Sequence, residues 1–150
     1  MERHSFKNIL FDLDGTLTDS AAGIILSVSF ALQKFGMHRE PESLKAFIGP
    51  PLKLSFQKEC GLSEAEARRA VGYYREYYRE RGIFENRLYP GVPEMLEKLN
   101  STGARLYLAT SKPTVFAEKI LDHFRIARYF TCLLYTSPSP RDRTRSRMPS

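Results

Sequence analysis

Ile9-Leu10-Phe11-Asp12-Leu13-Asp14-Gly15-Thr16 is an apolar run that passes, without a break, into two carboxylates one residue apart and then a glycine. Ile9-Leu10-Phe11 reads as the buried part of a strand extending from Phe6 to Asp12. Two carboxylates this close raise each other's pKa, so the pair is costly unless something uses it. Open α/β sheets bind ligands just beyond the carboxyl ends of their parallel strands, which is where this pair falls. The plainer alternative is a strand that ends in an Asp-Gly turn, with Thr16 or Asp19 capping the next helix.

Working outward, Ile24, Ile25, Val28, Ala31, Leu32 and Phe35 recur at helical spacing between Ser20 and Gly36. Pro41 opens a short helix that stops before Gly49-Pro50-Pro51, and Leu52 to Cys60 predicts another, ended by Gly61. Ser63-Glu64-Ala65-Glu66 has the form of a capping box and starts a long helix reaching Arg81. Beyond the Tyr89-Pro90-Gly91 turn, Val92 to Leu99 predicts a helix and Arg105 to Thr110 a second strand. Pro113 then begins a helix through His123. A parallel crossover needs only one helix, so the block from about Ser20 to Arg87 is surplus to the sheet and reads as an insertion.

Composition excludes several classes. The chain has 150 residues, one domain's worth or a small core with an insertion, and a formal net charge of +6. Half of that charge lies in residues 132–150; the rest keeps 19 basic against 16 acidic residues, too mild and mixed for nucleic acid or a membrane surface. Tyr73, Tyr74, Tyr77 and Tyr78 alternate with Arg75 and Arg79, but Glu76 and Glu80 interleave, so a helix packing one aromatic face explains them better than a nucleic-acid surface. Cys60 and Cys132 make no disulfide framework, and His4, His38 and His123 are too scattered for a metal site. No apolar run is long enough for a signal peptide or a membrane span, so a cytoplasmic setting is expected.

FDLDGTLTDS, Phe11 to Ser20, resembles the first motif of the haloacid dehalogenase superfamily, and specifically its phosphoglycolate phosphatase-like branch. The resemblance covers residues 6 to about 131. It implies an α/β fold: a Rossmann-like core with an incomplete parallel sheet and an inserted α-helical cap. Core would occupy 1–19 and 88–131, and cap 20–87. Ala109-Thr110-Ser111-Lys112-Pro113, some ninety residues later at a strand end, resembles the second motif. A threonine there is, by itself, more often a helix cap; the strand context favours function.

What the resemblance implies is hydrolysis of a small phosphate monoester. Asp12 attacks phosphorus and forms an aspartyl-phosphate, and Asp14 protonates the leaving alcohol and then deprotonates the hydrolytic water. Mg²⁺ would be held by the Asp12 carboxylate and the Asp14 main-chain carbonyl. Gly15 and Thr16 supply the tight turn beside the phosphate, and Thr110 and Ser111 hold phosphoryl oxygens. Lys53 is the nearest cation for a second anionic group on the substrate. Phe47-Ile48-Gly49-Pro50-Pro51 is either a substrate-reading loop or a rigid turn. The second carboxylate separates phosphatases from dehalogenases, whose halide leaving group needs no proton. Phosphoglycolate leads as the substrate by similarity and a nucleoside 5′-monophosphate follows; a phosphomutase differs in cap chemistry, and the sequence is silent on oligomeric state.

Two parts of the family pattern are missing: a later lysine and an acidic pair completing the metal site. Lys112 lies too near Thr110 to be that lysine, and Lys119 falls inside a helix. From Cys132 onward the composition shifts to Pro138, Pro140, Pro149 and four arginines. Cys132 to Asp142 resembles the translation of a transposase-type sequencing adapter containing CTCTTATACACATCT, and Ser146 to Ser150 resembles its outer end. Residues 132–150 are therefore expected to be non-native, and the printed chain a truncated, inactive fragment. Only two strands are expected, since Pro138 stops any third one built on Phe130 and Leu133-Leu134, leaving an edge prone to aggregation.

Overall fold

A computed structural model describes residues 6–135. Strand β1 (Asn8–Phe11) pairs in parallel with β4 (Arg105–Thr110), in a register that sets Phe11 opposite Leu108. Between them the chain forms β2 (Thr18–Asp19), α1 (Ala21–Gln33), α2 (Leu52–Cys60), α3 (Glu64–Glu80), β3 (Arg87–Leu88) and α4 (Val92–Ser101). Helix α5 (Thr114–His123) then leads to β5 (Phe130–Tyr135). The sheet order is β1-β4-β5, all parallel, so the fold is α/β with a small Rossmann-like sheet.

β5 corrects the expectation of two strands. It lies parallel to β4 with a register shift at Leu106/Tyr107, and its ladder extends to Thr110 opposite Tyr135. The physical reason lies in its composition: Phe-Thr-Cys-Leu-Leu-Tyr is a β-favouring run, and Pro138 comes too late to interrupt it. The strand thus crosses Cys132, where the composition shifts. The adapter-like stretch past Tyr135 lies outside the described residues.

The helices form for the reasons their sequences suggest. Ser63 Oγ accepts from the Glu66 N–H at 3.2 Å, and Glu66 Oε2 accepts from the Ser63 N–H at 2.8 Å, a complete capping box. Gly61, at φ 66°, takes the left-handed conformation that closes α2. The short helix after Pro41 is 3₁₀ in form over Ser43–Phe47, held by bonds three residues apart such as Leu44 N–H to Pro41 O. No helix among the described residues is long and apolar enough to cross a membrane.

Two clusters of buried side chains result. One joins the sheet to α4 and α5 through Leu13, Leu17, Leu96, Leu106, Leu108 and Ile120. The other lies wholly within the helical insertion, centred on Leu32, Leu44, Phe47 and Phe56. Tyr78 packs against both.

The insertion joins the sheet layer through a narrow neck. β2 and β3 pair antiparallel, Thr18 opposite Leu88 and Asp19 opposite Arg87, with the Asp19 and Arg87 side chains 3.4 Å apart. Immediately beyond, α1 crosses the 3₁₀ turn Gly82–Phe84 so closely that a Cβ on Gly23 would collide with the Gly82 carbonyl and Asn86 Oδ1. Ser27 Oγ, which donates to the Gly23 carbonyl at 2.6 Å, would meet a Cβ on Gly82 at 2.5 Å.

These contacts predict opposite signs for two glycine substitutions. Gly23→Ala overpacks a backbone crossing and should destabilise by about 1–3 kcal/mol. Gly72→Ala, in α3 with no atom within 4 Å of the added methyl, should stabilise by up to about 1 kcal/mol. Urea denaturation of both variants checks the pair, and a neutral Gly23→Ala would mean that the crossing is looser than described.

Candidate active site

Two side chains at the end of β1 leave the sheet while their neighbours anchor it. Leu13 and Leu17 are fully buried, Asp12 is exposed and Asp14 half-buried, so the Asp-Leu-Asp alternation presents both carboxylates away from the core. The Leu13 carbonyl gathers the turn, accepting from the backbone N–H of Thr16, Leu17 and Thr18 at 3.2, 2.9 and 3.1 Å. Gly15, at φ 78°, makes the reversal and donates its N–H to the Thr18 carbonyl at 2.8 Å. Asp12 Oδ1 accepts from the Leu13 N–H at 2.7 Å.

The second element comes from the end of β4. Thr110 is buried, and its Oγ1 accepts from the Lys112 N–H at 3.1 Å, shaping the turn that carries Lys112 back over the site. The Lys112 ammonium lies 3.2 Å from Asp14 Oδ2 and donates to the Tyr78 hydroxyl at 2.7 Å. Burial works against this charge, but Tyr78 and Asp14 together outweigh it and hold Lys112 above the usual lysine range. Asp14 Oδ1 is buried and has no hydrogen-bond partner.

A cavity of about 500 Å³ opens between this corner and the helical insertion. Asp14, Gly15 and Lys112 line it from the sheet side, Ile24, Tyr74 and Tyr78 from the helices, and Ile48 and Gly49 from the loop before α2. The Tyr74 and Tyr78 rings stack 5.7 Å apart and 8° from parallel. Burial, helped by Tyr78 and Asp14, pushes the Tyr74 hydroxyl far above the ordinary tyrosine value.

Of the residues singled out in the sequence, Asp14 and Gly15 line the cavity, as does the Ile48-Gly49 loop. Asp12 adjoins it in the chain; Thr16 and Ser111 are exposed on the flanking turns, and Thr110 closes one of them. Lys53 does not reach it, because its ammonium pairs with Glu64 at 2.7 Å, and Glu64 is held also by Arg68 at 2.9 Å. Sequence reasoning missed Lys112 and Tyr78. Lys112 stands too near Thr110 to be the family's later lysine, and the structure gives it another place: the turn after Thr110 swings it towards Asp14. Tyr78 carried a signal, the four-residue spacing from Tyr74, but the same spacing describes core packing.

The donors fit a hard cation in kind. Asp12 offers an exposed carboxylate, and Mg²⁺ is commonly held by one or two carboxylates with several waters retained. Among the described residues, however, no group of three or more His, Cys, Asp or Glu side chains is gathered for a metal.

The haloacid dehalogenase-like hydrolase family profile matches residues 9–142. The chain belongs to the haloacid dehalogenase-like hydrolases. Among curated relatives of this family it is 51% identical over 130 residues to a 5′-nucleotidase of Pseudomonas aeruginosa, covering 85% of this chain and 58% of that protein. It is 37% identical over 139 residues to a phosphoglycolate phosphatase of Haemophilus influenzae, covering 86% of this chain and 62% of that protein. A Clostridium difficile structure assigned as a phosphatase superposes with a TM-score of 0.86 at 45% identity, covering 90% of this chain and 63% of that one. The chain therefore spans about three-fifths of the length of these relatives.

Tyr74, a buried residue, gives a pH test of the cavity wall. An acid whose folded pKa is raised contributes stability that is intact below its unfolded pKa, about 10 for tyrosine, and is lost as pH rises towards the folded value. Tyr74→Phe should therefore flatten part of the alkaline fall in stability, with the difference from the parent widening above about pH 10. Urea titrations at a series of pH values check this; a difference that stays constant through that range would show the hydroxyl to be hydrated.

Proposed function

We propose that this chain is part of a Mg²⁺-dependent phosphatase that hydrolyses a small phosphate monoester through an aspartyl-phosphate on Asp12, its helical insertion serving as the cap. The observation that carries the reading is Asp14: one oxygen is held by Lys112, the other is buried and unpartnered, and the residue lines a cavity two positions from an exposed carboxylate. A carboxylate so placed suits a group that exchanges a proton with a bound ester.

Asp12 Oδ attacks phosphorus as the bond to the ester oxygen breaks, and Asp14 delivers a proton to that oxygen as it leaves. In the second step Asp14 takes a proton from water, which attacks the phosphorus and returns Asp12 as a free carboxylate. Thr110, Ser111 and the Gly15-Thr16 turn flank the phosphoryl group, and Lys112 holds Asp14 in place. The Asp12 carboxylate and the Asp14 main-chain carbonyl would hold Mg²⁺, which neutralises charge on the phosphoryl oxygens when bound. Relatives named for phosphoglycolate and for nucleotides support phosphate esters as the substrate class. The absence of a three-acid cluster among the described residues favours a second statement: the 150-residue chain alone turns over little or no substrate.

In the full-length phosphatase, Asp12→Asn should lower kcat/KM by more than about 10³-fold. Asp14→Asn should lower it by about 10²–10⁴-fold for an alkyl phosphate and by much less for p-nitrophenyl phosphate, whose leaving group needs no proton. Steady-state assays in Mg²⁺ read both; an active Asp12→Asn enzyme removes the mechanism. The purified 150-residue chain should show no Mg²⁺-dependent release of phosphate from either ester.

A further inference from the structure

The Lys112 ammonium is shared between two layers of the molecule. It lies 3.2 Å from Asp14 Oδ2 at the sheet edge and donates at 2.7 Å to the hydroxyl of Tyr78, which belongs to α3 in the helical insertion. The Tyr78 ring is itself held on two sides, stacked on Tyr74 at 5.7 Å and edge-on to Phe116 at 6.5 Å. Lys112 has no such packing of its own: a lysine stem is flexible, and its ammonium stays in one place only where its donors are tied. The Lys112 side chain is only 12% exposed, so water does not readily replace a lost partner.

The proposed function, on which this inference rests, asks Asp14 to give up a proton in one step and to take one in the next. In either state Oδ2 can accept from the ammonium, so the exchangeable proton falls to Oδ1, which is buried and has no hydrogen-bond partner of its own. An ammonium free to turn would leave Oδ2 for part of the time, and the proton would then have no fixed place. What prevents the turn is the second partner, the Tyr78 hydroxyl. Proton transfer needs the acid within hydrogen-bond reach of the leaving oxygen, so a small displacement is costly.

We infer that Tyr78 is a positioning residue for the phosphatase reaction: its hydroxyl fixes the Lys112 ammonium on Asp14 Oδ2 and so assigns the transferred proton to Oδ1. The helical insertion thus acts on the proton donor of the sheet edge through one shared ammonium.

Tyr78→Phe isolates the hydroxyl, because the ring that packs on Tyr74 and Phe116 is kept. In the full-length phosphatase with Mg²⁺, kcat/KM is measured for p-nitrophenyl phosphate, thymidine 5′-monophosphate and 2-phosphoglycolate. The faster of the last two serves as the ester whose leaving oxygen needs a proton. Tyr78→Phe should lower kcat/KM about tenfold for that ester and by less than about twofold for p-nitrophenyl phosphate. Lys112→Met should show the same selectivity. The Tyr78→Phe/Lys112→Met double variant should be no slower than Lys112→Met alone, because the hydroxyl acts through the ammonium.

An equal loss on both kinds of ester, or losses that multiply in the double variant, would overturn the inference and make Tyr78 a packing or substrate-contacting residue. An unchanged Tyr78→Phe enzyme would overturn it as well. Asp14→Asn, assayed beside these variants, separates the inference from the reading beneath it. Where Asp14→Asn is selective and Tyr78→Phe is not, the inference alone fails. Where Asp14→Asn slows both kinds of ester alike, the acid role of Asp14 fails and the inference goes with it.

Discussion

Four residue pairs between β1 and β4 determine where everything else can be. Asn8 to Phe11 lie opposite Arg105 to Leu108, joining segments almost a hundred positions apart in the chain. Because the strands are parallel and in this register, both run out at the same edge of the sheet. One releases Asp12 and Asp14 there, the other Thr110 and Lys112. A slip of one residue would turn Leu106 and Leu108, both fully buried, to the opposite face, so the burial that stabilises the sheet also fixes the chemistry.

From that edge the electrostatics follow in sequence. Asp14 is half-buried and would be costly to desolvate alone, and Lys112 reaches it from the neighbouring strand end. Lys112 in turn is itself mostly buried and takes Tyr78 as a second partner. Tyr78 belongs to the longest helix of the insertion and packs on both clusters of buried side chains. One ammonium thus ties the strand end, the following turn and the helical layer together. Nothing comparable exists at Asp12, which faces solvent and bonds only its own neighbour's N–H among the hydrogen bonds described.

Much of this was legible in the sequence, and the parts that were not share a cause. The strand ending in Asp-Leu-Asp-Gly, the helical insertion, the Ser63 capping box and the second strand to Thr110 all depend on local signals: periodicity, caps and turn residues. β5 is hidden from such a reading because proline is a strong local signal, although Pro138 stands outside the six residues of the strand. Position along the chain makes Lys53 a candidate and says nothing of where Lys112 ends, because each side chain is placed by what it meets in space. Lys53 meets Glu64 on the next helix, and Lys112 meets Asp14 across the sheet edge. The two-residue ladder of β2 and β3 is too short to leave any periodic trace in the sequence.

That short ladder has a kinematic consequence. The chain enters the helical block along Thr18–Asp19 and leaves it along Arg87–Leu88, and the two passages are bonded to each other rather than spread across the sheet. Displacing the block must carry both passages together, so sliding is resisted. A swivel about the two-stranded ribbon is the motion that leaves its pairing intact. The Gly23–Gly82 crossing, where two glycines let the backbones meet beside Ser27 and Asn86, lies just beyond the ribbon, close to the axis about which such a swivel would turn.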